Sequence, residues 1–129
     1  MKWLPLLLAL IFPGVPAFAD DAPNCKDPQT QSDMTLCAGL AYTKADKQLN
    51  AVWPKIKADA EDNDKDTGKH EYVEALMASQ KAWLAYRDAQ CTWMGFSAHG
   101  GSMEPMLVNQ CLADATTARI KELQDGGLQ

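Results

Sequence analysis

The stretch QKAWLAYRDAQCTW, residues 80–93, decides the fold. Gln80, Trp83, Leu84, Arg87 and Cys91 recur at steps of three and four, which places them on one face of an α-helix. Val73 and Leu76 continue the same stripe upstream, so the spacing predicts a helix from about His70 to Trp93. No β-like alternation competes with it.

Downstream, Gly95 to Gly101 reads as a loop and Ser102 as the N-cap of a further helix. That helix is predicted from about Met103 to Leu123. Leu107, Val108, Cys111, Leu112, Ala115, Arg119 and Leu123 face inward, and Gly126-Gly127 ends it. Upstream, Met34, Cys37, Ala38, Ala41, Ala45, Leu49, Val52 and Ile56 form another helical stripe from about Gln31. Pro54 lacks an N–H and its ring crowds the preceding turn, so a kink or a short restart is expected after Trp53. The acidic run Glu61 to Lys69 reads as a turn. The whole is an all-α, antiparallel three- to four-helix bundle with short connections.

The first residues have another character. Met1-Lys2 precedes an apolar run from Trp3 to Phe12; Pro13, Gly14 and Pro16 interrupt it, and Ala17-Phe18-Ala19 follows. This is the pattern of a cleavable secretion signal over residues 1–19, with a helical domain over 20–129. The run is about half the roughly 20 residues a membrane-spanning helix needs. No cysteine stands directly after Ala19, so no membrane anchor is expected in the mature protein. A periplasmic or extracellular location follows, and it is oxidising. All four cysteines, Cys25, Cys37, Cys91 and Cys111, lie in the mature part and suit two disulfides. Three pairings are possible; the local ones, Cys25–Cys37 and Cys91–Cys111, are expected.

The formal net charge is −5, and removal of Lys2 with the leader makes the mature chain more acidic still. Such a surface opposes nucleic acid and anionic membranes and suits a basic protein partner, although it also serves plain solubility. Catalytic and metal-binding motifs are missing. Asp62, Asp64 and Asp66 mimic the first positions of a calcium loop, but Thr67 stands where glycine is required and Val73 where a bidentate glutamate is required. Gly95-Phe96-Ser97-Ala98-His99 lacks the second glycine and the preceding strand of a nucleophile elbow. No metal, cofactor or enzymatic activity is expected.

Two further constellations stand out. Arg87 and Arg119, the only arginines, both fall on inward stripes. Asp46 on the first helix is the best candidate for an anion between them, forming an internal clamp, since a guanidinium binds a carboxylate bidentately. Tyr42, Trp53, Trp83 and Tyr86 read as packing residues. Trp93, Met94, Phe96 and Met103 flank a glycine loop too short to bury them all. Either the loop folds back on the bundle or it projects as a binding element, with Ser97, His99, Gly100, Gly101 and Ser102 at its tip.

The ordered set Cys25, Cys37, Ala45-Asp46-x-x-Leu49-Asn50, Gln80-x-x-Trp83-x-x-Tyr86-Arg87-Asp88-x-x-Cys91, Gly100-Gly101-Ser102, Cys111, Thr116-x-x-Arg119 and Leu123 resembles the LprI-type lysozyme inhibitor-like family. The resemblance spans nearly all of Cys25 to Leu123. It implies a secreted or periplasmic protein that inhibits lysozyme, a basic cell-wall hydrolase. The alternative is a non-catalytic envelope protein-binding module without lysozyme inhibition. The sequence leaves the oligomeric state open.

Overall fold

Thr30 starts the first helix with a reciprocal cap. Its hydroxyl accepts from the Asp33 N–H at 3.0 Å, and the Asp33 carboxylate accepts from the Thr30 N–H at 3.3 Å. In the computed structural model, which describes residues 22–126, three helices follow in order. They are α1 (Gln31–Thr67), α2 (Glu71–Gly95) and α3 (Glu104–Asp125), with a 3-10 turn over Phe96–Ala98. The secretion signal expected over residues 1–19 lies outside the described residues, as does Gly127.

α1 corrects two expectations. It runs 37 residues as one helix across Pro54, with no restart after Trp53. Both Pro54 and Asn50, whose carbonyl loses its helical partner there, are exposed, so that carbonyl is not confined to a dry core. The acidic run is helix as far as Thr67, because its charges are paired along the helix surface. Lys57 pairs with Glu61, and Lys65 with Asp62 at 2.8 Å. The turn is compressed to Gly68, at φ 69°, and the two residues after it. Gly68 is in the left-handed conformation that ends helices, and its N–H donates to the Asp64 carbonyl.

Asp64 is buried, and its carboxylate does a task for the next helix. Oδ1 accepts from the Tyr72 N–H at 2.9 Å and Oδ2 from the Val73 N–H at 3.1 Å. His70, at the N-cap position of α2, makes no side-chain cap bond, so the cap comes from α1 instead. Asp64→Ala is expected to cost about 1–3 kcal/mol, the range for losing a cap with charge-assisted bonds, read from urea unfolding midpoints. An unchanged midpoint would remove Asp64 from this role.

α2 runs antiparallel to both neighbours, and α1 and α3 lie side by side in the same direction. The Gln31 amide nitrogen meets the Met106 sulfur at 3.6 Å near one end, and the same end joins Cys91 to Cys111. The α1–α3 seam is the most extensive. Between the helices lie Ala45, Leu49 and Ala60 of α1, Cys91 of α2, and Ala113, Thr116 and Leu123 of α3. Ala41 and Leu84, expected inward, are exposed, and so is Tyr86 at 65%. Both disulfides take the local pairing, Cys25–Cys37 and Cys91–Cys111, each with Cα atoms 5.4 Å apart. The bundle therefore has three helices, without strands among the described residues, and two staples. None of the described helices is long and apolar enough to cross a membrane.

Candidate functional site

The end of the bundle where α2 turns into α3 is closed by Cys91–Cys111 and by a tight contact at Gly95. Gly95 is buried, and a Cβ built there would stand 2.5 Å from a Val108 methyl and 3.4 Å from the Glu104 side chain. Glycine lets the last turn of α2 press against α3. The large side chains around this contact are exposed. Trp93 is 68% exposed, Met94 50%, Phe96 49% and Met103 46%. These four side chains are therefore not folded back onto the bundle.

The projecting rings are ordered among themselves. Trp93 and Phe96 stack with centroids 6.2 Å apart, and Phe96 and His99 stack at 4.4 Å, inclined by only 5°. The spacing i, i+3, i+6 through the 3-10 turn places the three rings in a row. Adjacent rings shield one another's faces, so the row forms a ridge. Ser97 donates its hydroxyl to the Met94 carbonyl at 3.0 Å, which ties it to the turn. Ser102 is exposed and is not the N-cap that its position suggested; Met103 holds that place and gives no side-chain cap.

Glu104, the first residue of α3, closes the loop. One carboxylate oxygen lies 3.1 Å from His99 Nδ1, and the other accepts from the Gly100 N–H at 2.7 Å. Those bonds hold the Glu104 carboxyl below the usual carboxylate range, the Gly100 N–H contributing most. Gly100 has φ 76°, a left-handed conformation suited to glycine. Gly101 donates to the Ala98 carbonyl at 2.8 Å and accepts from the Glu104 N–H. Residues 88–118 contain no lysine or arginine, but Asp88, Glu104 and Asp114. The segment is thus acidic in composition, although Asp88 is paired with Arg87 just before it and Glu104 faces His99.

The expected clamp is built differently. Neither arginine pairs with Asp46, whose carboxylate accepts instead from the Asn50 amide at 3.2 Å. Arg87 binds Asp88 at 2.8 Å and donates to Thr116 Oγ1 at 3.3 Å, while its guanidinium lies over the rings of Tyr42 and Trp83. Arg119 donates to Gln80, Ser79 and Glu122 and also lies over Trp83, at 5.6 Å. The group the two cations share is the indole ring of Trp83 rather than Asp46, and each has a separate surface carboxylate, Asp88 or Glu122. This is scaffold, and it fixes the α2–α3 register below the ridge.

A concavity that the sequence reading did not single out lies toward the opposite end. It encloses roughly 540 Å³ over Ile56, Ala60, Leu76 and Leu123, with Tyr72 and Arg119 in its walls. Its residues come from all three helices, so no contiguous motif announces it. The acidic residues Asp62 and Asp64, weighed as calcium ligands, serve Lys65 and the α2 N-terminus.

Comparison with known proteins finds a family and a relative for this chain. Residues 23–123 match the family described as Lysozyme inhibitor LprI. A relative from Rhizobium meliloti (strain 1021), the uncharacterized protein R02472, is 40% identical over 127 residues, covering 94% of this chain and 91% of its own. No solved structure matches. With the four cysteines paired as two staples of a helical bundle and the match running from the lead-in segment to the end of α3, the chain belongs to the LprI lysozyme inhibitor family.

Proposed function

We propose that the protein is an extracytoplasmic inhibitor that binds a basic cell-wall hydrolase of the lysozyme type and occludes its cleft with the Trp93–Phe96–His99 ridge. Residues 1–19 act as the secretion signal and residues 20–129 form the mature domain. The two disulfides fit an oxidising compartment. The observation that carries the reading is the row of stacked, exposed rings braced by Cys91–Cys111 and Gly95. Rigid aromatic side chains lose little freedom on docking and supply the large contact area typical of binding hot spots. The negative segment around them steers a basic partner toward this end. Lysozyme cleaves glycan in a cleft flanked by two carboxylates, so a protruding ridge has a concave place to enter. Binding, not catalysis, is the activity.

Lysis of cell-wall suspensions by a panel of lysozymes of different types, with the purified mature protein added, tests this. The wild-type protein is expected to inhibit at least one. The double variant Trp93→Ala/Phe96→Ala is expected to raise the inhibitory concentration about a hundredfold while leaving the helical content intact. Failure of the wild type against every lysozyme would move the assignment to an envelope protein-binding module without inhibition. Full inhibition by the double variant would move the contact surface away from the ridge.

A further inference from the structure

We infer that Glu104 is a positioning residue that fixes the ridge in its binding shape before a partner arrives. The inference rests on the reading of the ridge as the contact surface. His99 ends the row and has 64% of its side chain exposed, yet it stacks on Phe96 within 5° of parallel. A side chain so exposed holds one orientation only if something other than burial restrains it. Glu104 supplies that restraint from the rigid start of α3, through Nδ1.

The same carboxylate bridges to the backbone. Its second oxygen accepts from the Gly100 N–H, so one side chain pins both the ring and the turn that follows it. Glu104 is itself held, since its side chain packs beside Gly95 and is only 27% exposed. With Nδ1 committed to Glu104, Nε2 is the ring nitrogen left for a partner, and its position relative to Trp93 and Phe96 is set in advance. Ordering a loop and its side chains during association weakens binding; a loop ordered beforehand avoids that cost.

Two variants separate the parts. In Glu104→Gln an oxygen remains to accept from Gly100 but the charge is lost, and in Glu104→Ala both bonds are lost. Amide hydrogen exchange at Gly100 reads the loop without any partner. It is expected to accelerate at least tenfold in Glu104→Ala and less in Glu104→Gln. Binding to the lysozyme that the wild type inhibits best, followed by surface kinetics, is expected to weaken about tenfold in Glu104→Ala, with the glutamine variant between.

Unchanged Gly100 exchange in Glu104→Ala would overturn the restraint. Accelerated exchange with unchanged affinity would overturn its role in binding, while loss of binding in Trp93→Ala/Phe96→Ala would still uphold the ridge. A wild type that binds no lysozyme overturns the functional reading, and the Gly100 exchange then reports on the restraint alone. Gly100→Ala, which strains the same turn through its positive φ, is expected to reproduce the affinity loss with Glu104 intact.

Discussion

Replacing Cys91 and Cys111 together by alanine is expected to lower stability by about 3 kcal/mol and the melting temperature by roughly 10–20 °C. The bridge closes a separation of 20 residues, so its loss releases a large loop of the unfolded chain. Cys91 is also fully buried, and alanine leaves its sulfur volume unfilled. The effect should extend to function, because the bridge brackets the ridge from both sides. Thermal melts and lysis inhibition of the double variant, below its new melting point, check both parts. A melting point within a few degrees of wild type would show that the α2–α3 end is held by other contacts. Reduction by thiols is a poorer test, since it opens Cys25–Cys37 as well.

Arg87→Ala is expected to cost about 2–4 kcal/mol, although its ion pair with Asp88 contributes little of that. The Asp88 side chain is 62% exposed, and an exposed pair is worth at most about 1 kcal/mol. The larger loss comes from inside. The guanidinium lies 5.5 Å from the Tyr42 ring centre and 5.1 Å from that of Trp83, and its Nη1 satisfies Thr116, which has no solvent exposure. Truncation leaves a void against two half-buried rings and a threonine hydroxyl without its donor. Arg87→Lys should recover only part, because an ammonium neither stacks nor forks. Asp88→Ala should shift the urea midpoint slightly. If Asp88→Ala were as damaging as Arg87→Ala, the surface ion pair would be the dominant contribution.

The helices and staples were legible because they depend on local periodicity and on cysteine number. Residues 80–93 contain a helix face, a disulfide position and a buried cation in one stretch. The run from Glu61 to Lys69 misled because acids beside a glycine resemble a loop; that Asp64 turns inward depends on where Tyr72 and Val73 lie. The clamp was half legible. Two inward arginines were visible and so was their need for negative potential, but the group they share is an indole face without a formal charge, and their carboxylate partners, Asp88 and Glu122, lie nearby on their own helices. The exposure of the loop was undecidable from composition. It accompanies a tight α2–α3 contact at Gly95, whose missing side chain allows α2 to approach Val108 and which periodicity does not reveal.

The Asp64 cap also has a consequence for the order in which the chain comes apart. Helix ends ordinarily fray one turn at a time, each independently of its neighbours. The first amides of α2 are instead anchored to a side chain on the last turns of α1. The junction is therefore expected to open as one unit, with the start of α2 protected for as long as the end of α1 is, and a cut or insertion at Gly68 is expected to uncouple the two.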